Sequence, residues 1–204
     1  MATWADFQPH VLVFVPGCPD PMLEQELRGA AAEFFRRTRA WVQWLDEIVT
    51  TAGEREYLIA LPSGAEIVRI EQATADDRPI EVQIHRLLPA DPATVPGADH
   101  ALVSADRRSL TTLRELAAGT RLRVQATLMP SLTATGIPDA LFEQHLDAIV
   151  SGARFRLKRA PGPLSDPPGA QLAFDEFERA VAAKGLAAWR GHTANVPRAR
   201  PKWC

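Results

Sequence analysis

The stretch that decides the fold is PGCPDPMLEQELRGAAAEFFRRTRAW, residues 16–41. Asp20 follows a proline-punctuated turn and stands where a helix N-cap is expected, with Pro21 at the first helical position. One set of the residues that follow recurs at spacings of three and four, which places them on one face of a helix. That set is Leu23, Leu27, Ala30, Ala31, Phe34 and Thr38. The pattern predicts an amphipathic helix from about Asp20 to Arg39.

Two later segments have matching apolar faces. The first begins at Pro138, and the second runs from about Gly169 to Trp189. The proline-rich connector 160–168 separates them, because proline in a helix interior removes a hydrogen bond and breaks the helix. We expect the three helices to pack together around a common core. Its predicted members are Leu23, Leu27, Phe34, Phe142, Leu146, Ile149, Phe174, Phe177 and Val181.

The chain between these helices has the pattern of short strands. Glu66–Thr74 and Thr120–Met129 alternate between apolar and polar residues, which is typical of half-buried strands. Turn residues between other short apolar runs predict hairpins. The predicted hairpin pairs are Ile48–Thr51 with Tyr57–Leu61, Glu66–Thr74 with Ile80–Ile84, and Ala101–Ala105 with Ser109–Leu113.

Together these patterns predict an α+β protein with a three-helix bundle core, an inserted antiparallel β-sandwich module and an extended C-terminal arm. The predicted helical domain comprises residues 1–45 and 134–190, the β-rich module residues 46–133, and the arm residues 191–204. Val11–Val15 is interpreted as either a brief strand or an apolar segment that docks on the core.

Composition narrows the class of protein. A length of 204 residues suits one domain with a sizeable insertion. The net charge of −2 argues against a protein that binds nucleic acid over most of its surface, since such proteins are usually strongly basic. The two cysteines, Cys18 and Cys204, do not suggest a disulfide framework, which favours a reducing compartment. Val11–Val15 is too short to span a membrane. We therefore expect a soluble protein made in the cytoplasm.

The sequence contains no P-loop, dinucleotide fingerprint, nucleophile elbow or zinc-protease motif. Its carboxylate–imidazole pairs are Asp99–His100 and His145 with Asp147. Residues two apart on a helix do not face each other, so the second pair is not expected to converge on a metal or a proton. His145 is interpreted as a helix-interface histidine. We expect no enzyme activity, no catalytic residue, no cofactor and no metal site.

The last part of the sequence is basic. It contains Arg190, Arg198, Arg200 and Lys202, and no acidic residue follows Glu178. Such a segment could bind phosphates or anchor a partner through Trp203, because Trp and Arg dominate interface hot spots. The alternative is a solvated chain end, the ordinary state of a terminus. Both interpretations stay open at this point.

The order and spacing of several motifs across residues 12–203 resemble those of the head–tail adaptor proteins of tailed bacteriophages, also called connector, neck or tubular proteins. The first-helix motifs are Val15–Pro21, Glu26–Phe34 and Thr38–Trp41. Tyr57–Pro62 and Ala65–Ile70 are similar to the β insertion of that family, and Arg198–Pro201 is similar to its tail. The helix pair joined by a proline corner is also shared.

The resemblance implies a structural role in the virion after synthesis in the host cytoplasm. Copies in this family form a ring, usually dodecameric, beneath the portal, where they extend the DNA channel and present a platform to the tail. The implied partners are the portal protein, tail or further neck proteins, other copies of the chain, and DNA that passes without specific binding. The implied portal-docking residues are Arg190, Arg198, Arg200, Pro201, Lys202 and Trp203.

Two other functions remain as alternatives. One is a small nucleic-acid-binding module that uses the basic tail with Arg121 and Arg123, and its signature would be an affinity that falls steeply with salt. The other is a hydrolase or lyase around Asp99 and His100, for which the sequence offers no activated nucleophile. Whether the β module contacts the tail or pairs edge to edge around a ring is left open.

Overall fold

The structure, a computed structural model, describes residues 1–83, 102–103, 107–112 and 115–193, without the side chains of residues 83, 102, 103 and 187–193. The fold is mixed α+β. The described helices are α1 (Trp4–Leu12), α2 (Asp20–Thr38), α3 (Asp139–Arg159) and α4 (Pro167–Thr193). The described strands are β1 (Ala2–Thr3), β2 (Val42–Trp44), β3 (Ile48–Val49), β4 (Glu56–Leu58), β5 (Ala65–Ala75), β6 (Arg78–Ile80), β7 (Val82–Gln83), β8 (Leu102–Val103), β9 (Ser109–Thr112), β10 (Arg121–Pro130) and β11 (Gly136–Ile137).

The chain divides into two compact units. One consists of Met1–Ala40 with the chain from Pro138 onward, and it contains the helices. The other is Trp41–Ile137, and it contains most of the strands. Among the described residues, no helix has the length and hydropathy needed to cross a bilayer.

Helix α2 is close to its predicted bounds. Its N-cap is Pro19 rather than the predicted Asp20, because the carbonyl of Pro19 already accepts hydrogen bonds from the amides of Met22 and Leu23. The helix ends where Arg39 takes a left-handed conformation with φ 53°. The predicted apolar face is confirmed, since all of its members are buried. They are Leu23, Leu27, Ala30, Ala31, Phe34 and Thr38.

The predicted core residues do not all lie at the centre of the helical unit. Six of them are buried: Leu23, Leu27, Phe34, Ile149, Phe177 and Val181. Phe142, Leu146 and Phe174 are only half-buried, so they lie at the edge of the core. Phe142 packs edge-on against Phe7 of α1 with ring centroids 4.7 Å apart, which gives it a partner that the sequence pattern did not supply.

Residues 1–15 contain a helix that the sequence pattern did not predict. Of the two interpretations of Val11–Val15, the brief strand was wrong, whereas the burial of Val11 and Val15 agrees with an apolar segment that docks on the core. The carboxylate of Asp6 accepts hydrogen bonds from the amide and the hydroxyl of Thr3, at 2.7 and 2.8 Å, and these bonds fix the first turn of α1. Trp4, Phe7 and Val11 then bury one face. Pro9 lies inside the helix and concealed this periodicity.

Helix α4 starts earlier and ends later than predicted. Pro167 and Pro168 occupy its first turn, where a missing amide hydrogen costs nothing, and Asp166 accepts a hydrogen bond from the amide of Gly169 at 3.1 Å. At the other end the backbone stays helical through Thr193. Residues 191–193 of the predicted extended arm are therefore helical, and residues 194–204 lie outside the described residues.

In the other unit, the long strands β5 and β10 form the centre of a five-stranded sheet in the order β2-β10-β5-β6, with β3 also on β10. Strands β5 and β10 are antiparallel, from the pair Leu122–Ala75 to the pair Pro130–Ala65. The alternation predicted for Thr120–Met129 places Leu122, Val124, Ala126 and Leu128 on one face of β10, and all four are buried.

The short strands differ from their predicted pairings in two places. The predicted hairpin of 48–51 with 57–61 was wrong, because β3 pairs with β10 and β4 pairs with β9. Each short strand is stabilised by a partner distant in sequence, as when Tyr57 faces Leu110. In the four-stranded sheet β4-β9-β8-β7, β7 runs parallel to β8, which departs from the all-antiparallel prediction.

The predicted hairpin of Glu66–Thr74 with Ile80–Ile84 was right in part, because β5 pairs with β6 (Arg78–Ile80) across a two-residue turn, whereas Val82 and Gln83 pair with β8. The predicted hairpin of Ala101–Ala105 with Ser109–Leu113 is confirmed, since β8 pairs antiparallel with β9. In the first turn Asp76 and Asp77 both have positive φ, 46° and 62°, which matches the right-handed twist of the strands.

Candidate docking groove on the helical unit

The residues predicted to dock on a partner lie mainly beyond the described part of the chain. Arg190 belongs to the last turns of α4, but its side chain is outside the described residues. Arg198, Arg200, Pro201, Lys202 and Trp203 are outside them as well, as are Asp99 and His100. Their roles stay predictions.

His145 is buried at the interface of α2 and α3, as the sequence predicted. It is 4% exposed, and its ring lies 5.1 Å from that of Phe34 and 5.7 Å from that of Phe35. Burial lowers the pKa of this imidazole, and the positive charge of Lys184 lowers it further. Asp147 is exposed, so the two side chains do not form a site.

The lowered pKa of His145 predicts a loss of stability in mild acid. Below about pH 6.5 the unfolded chain binds a proton that the folded chain resists, so the free energy of unfolding should decrease as the pH falls. Urea unfolding of the wild type and of His145→Leu at about pH 7.5 and about pH 5.5 checks this, because the variant lacks the titrating group. An equal pH dependence in both proteins would contradict the assignment.

A buried arginine joins α3, α4 and the loop after α1. Arg154 is 8% exposed, and its Nη1 lies 3.1 Å from Oε2 of Glu176, which also accepts a hydrogen bond from Ser151. The guanidinium carbon lies 3.7 Å from the ring centroid of Phe14. Among the described residues, no group accepts a hydrogen bond from Nε of Arg154.

Replacing Glu176 by glutamine should destabilise the helical unit by about 1 kcal/mol, because it leaves a buried guanidinium without its counter-charge. The change keeps the shape of the side chain, so the effect reports on charge. Chemical unfolding followed by far-ultraviolet circular dichroism measures it. Glu143→Gln, an exposed site on α3, is the control and should leave the free energy of unfolding unchanged.

A groove crosses the surface of the helical unit where α3 and α4 meet. It consists of two adjoining hollows of about 550 and about 510 Å³, which share Phe155, Arg159 and Phe174. Pro167 and Ala170 of α4 line the first hollow, and Glu26 and Glu33 of α2 line the second. We call this surface the aromatic groove.

Helix geometry determines the floor of the aromatic groove. Phe155 and Arg159 are four residues apart on α3, so they share one face in successive turns. Phe174 of α4 meets Phe155 with ring centroids 5.0 Å apart and an interplanar angle of 49°. The guanidinium carbon of Arg159 lies 5.7 Å from the ring centroid of Phe155, within the range of a cation–π contact.

The charges around the aromatic groove are unequally compensated. Nζ of Lys158 lies 2.9 Å from Oδ2 of Asp166, and this hydrogen bond, with one from the amide of Gly169, lowers the pKa of the Asp166 carboxyl. On the other side Arg156 Nη2 lies 2.8 Å from Glu33 Oε2 and Nη1 lies 3.6 Å from Glu26 Oε2. These charged groups are already engaged within the protein.

Arg159 differs from its neighbours. It is exposed, and no carboxylate of the described residues lies within ion-pairing distance of it. The mouth of the first hollow therefore carries a cation, backed by an aromatic floor, that an external anion can approach. Sequence reasoning did not select Phe155 or Arg159. Their spacing of four was the available signal, but it does not show where α4 crosses α3.

The residues proposed for a nucleic-acid site lie on β10 in the other unit, and both have internal partners. Arg121 Nε is 3.8 Å from Oε1 of Glu47, and the guanidinium carbon of Arg123 is 5.2 Å from the ring centroid of Trp44. Within the part of the chain that the structure describes, no group of three or more His, Cys, Asp or Glu side chains is arranged to hold a metal ion.

Comparison of the whole sequence with protein-family models and with curated proteins gave no match.

Proposed function

We propose that the protein is a structural head–tail adaptor of a tailed bacteriophage. In this role copies form a ring under the portal, dodecameric as in most of the family it resembles, which extends the DNA channel and gives the tail its attachment platform. The observation that carries the proposal is the layout of the chain. Helices α1 and α2 before the β-rich unit and α3 and α4 after it belong to one helical unit, and α4 leads into the basic segment.

The finer architecture belongs to the same proposal. Helices α2, α3 and α4 would form the bundle core, the strands of Trp41–Ile137 would form a sandwich, and the segment after Thr193 would be the portal-docking arm. The contacts of the arm would come from its basic side chains and from Trp203, since cationic and aromatic groups are the usual anchors of protein interfaces.

Electron microscopy of the purified protein mixed with the portal encoded in the same genome tests the role. We expect a second ring stacked on the portal ring. Removal of residues 194–204, which leaves α4 intact through Thr193, should abolish stacking while the far-ultraviolet spectrum stays that of a folded protein. A bare portal beside free full-length protein would contradict the proposal.

A full-length control separates the charge of the arm from its length. Combined replacement of Arg198, Arg200 and Lys202 by glutamine should weaken stacking strongly, because it removes every lysine and arginine after Arg190. The matched control is Arg28→Gln, Arg36→Gln and Arg179→Gln, which removes the same charge from helical positions. Equal loss in both variants would point to net charge rather than to the arm.

The nucleic-acid alternative predicts a different result. A module that gripped phosphates through Arg121 and Arg123 would bind DNA with an affinity that falls steeply with salt. Fluorescence anisotropy with a short labelled duplex at low and moderate salt distinguishes the two functions. The adaptor role predicts no specific affinity, because phosphate contacts would hold DNA that has to slide.

A further inference from the structure

We infer that the aromatic groove binds a peptide segment of a partner protein in which a carboxylate side chain adjoins a large aromatic side chain. The inference goes beyond the adaptor role and does not depend on it. It rests on Arg159, which has no ion-pair partner among the described residues, and on the aromatic floor of Phe155 and Phe174 beneath it. Nothing in it requires a portal, a ring or the basic segment.

The aromatic part of the ligand follows from the floor. Phe155 and Phe174 are half-buried at a helix–helix junction, where their rings present apolar surface to the hollow of about 550 Å³. Hollows of this volume accept a large side chain, and an aromatic ring gains both burial and favourable ring–ring geometry there. Pro167 and Ala170 complete the apolar wall without adding a charge.

The acidic part follows from the charges at the mouth. Lys158 is neutralised by Asp166, and Arg156 lies between Glu26 and Glu33, whereas Arg159 has no such partner among the described residues. The Arg159 guanidinium is exposed beside the Phe155 ring, and its planar set of N–H donors suits a carboxylate from outside. The ligand carboxylate is expected at Arg159, away from the acidic side near Glu26.

The charge of Arg159 also disfavours a basic ligand. A lysine or arginine side chain entering the first hollow would meet Arg159, and like charges at close range repel. The basic segment of this chain is therefore a poor occupant of the groove. A partner segment with the opposite charge is complementary to it.

Isothermal titration calorimetry with a defined peptide tests the site. The probe is acetyl-Gly-Ser-Glu-Trp-Glu-Ser-Gly-amide, used with the full-length protein. We expect binding that weakens about tenfold when Arg159 is replaced by glutamine, because a charge-assisted contact is lost. Arg179→Gln is the matched control, since that side chain is exposed on α4 and its Nε bonds the Asp175 carbonyl at 3.1 Å. It should bind like the wild type.

Two variant peptides test the acidic and the aromatic part of the ligand separately. A peptide with glutamine in place of both glutamates should lose the dependence on Arg159, and one with alanine in place of tryptophan should not bind measurably. Phe174→Leu should weaken binding while urea unfolding confirms that the variant is folded. Failure of the wild type to bind up to about 1 mM peptide would overturn the inference.

Two other outcomes would also overturn it. Equal weakening by Arg159→Gln and Arg179→Gln would show that net charge, not the groove, attracts the peptide. Binding of a short oligothymidylate with the same dependence on Arg159, in the absence of peptide binding, would assign the cation to nucleic acid. Neither outcome affects the stacking of rings on the portal. The peptide experiment therefore tests the groove, and the electron microscopy tests the adaptor role.

Discussion

Replacing Phe34 by alanine is expected to lower the free energy of unfolding of the helical unit by about 3–5 kcal/mol. Phe34 is fully buried on α2, and its ring lies 5.5 Å from that of Phe35, 5.1 Å from that of His145 and 6.3 Å from that of Phe177. The substitution removes contacts with α3 and α4 at once and leaves a cavity that a rigid helix junction cannot close.

The size of this effect is large compared with the total stability of an ordinary domain, about 5–15 kcal/mol, so the variant should be only marginally folded. Urea unfolding followed by far-ultraviolet circular dichroism measures it, because the helical signal reports on the unit that contains α1 to α4. Leu172→Ala is the control. Leu172 is 55% exposed on α4, and its loss should change the free energy by less than about 0.5 kcal/mol.

A loss below about 1 kcal/mol for Phe34→Ala would mean that Phe34 is not at the centre of the helical core. Phe34→Leu provides an intermediate step, because leucine retains most of the buried apolar volume. Its expected cost is smaller than that of alanine. Equal effects of leucine and alanine would indicate that ring contacts with His145 and Phe177, rather than volume, determine stability here.

Long, strongly periodic segments of this chain were predictable from sequence. Helix α2 and strand β10 each keep one apolar face over many residues, and that face can be buried only in one orientation. The turn Asp76–Asp77 was predictable for a different reason, since aspartate tolerates the positive φ that a two-residue hairpin turn needs. The local sequence is sufficient to predict these elements.

Segments whose structure depends on a distant partner were not predictable. Strands β3 and β4 carry a local turn signal at Gly53, but each pairs with a strand far along the sequence instead of with the other. Helix α1 is held by the Asp6–Thr3 hydrogen bonds and by packing of Phe7 on Phe142, which outweigh the disadvantage of Pro9. Tertiary contacts overrode the local pattern in both cases.

The aromatic groove was hidden from sequence for the same reason. The periodicity of α4 placed Phe174 in the core, yet the residue is half-buried because it meets Phe155 at the edge of the helix pair. The position of Asp166, set by the loop 160–166, determines which cation it pairs with. In the structure Asp166 accepts a hydrogen bond from Lys158 and not from Arg159. A surplus cation of this kind arises from packing and is not a property of any motif.

Gly152 of α3 lies in close contact with α2 and α4, and replacing it by valine is expected to destabilise the helical unit by about 3 kcal/mol. A Cβ atom at this position would lie 2.9 Å from Cδ2 and Cε2 of Phe177 and 3.0 Å from Cβ of Ala30. The distance of 2.9 Å is shorter than real Cβ contacts, and that of 3.0 Å is tighter than most, so the Phe177 ring has to shift and α2 has to give way slightly. Valine adds two methyl groups to that overlap.

Gly185→Ala on α4 is the matched control, because no heavy atom lies within 4 Å of the position that its Cβ would take. This substitution should stabilise the protein by about 0.5–1 kcal/mol, since alanine is the better helix former. The two glycine variants should therefore shift the urea midpoint in opposite directions. Gly152→Val with wild-type stability would contradict the three-way contact of α2, α3 and α4.

A double-mutant cycle locates the strain at Gly152. Phe177→Leu removes the ring atoms nearest the new Cβ, so Gly152→Ala should cost less in that background than in the wild type. The coupling should be favourable, on the order of 1 kcal/mol. Additive costs would place the overlap on Ala30 instead, and then α2 rather than α4 would be the helix that limits how closely the others approach α3.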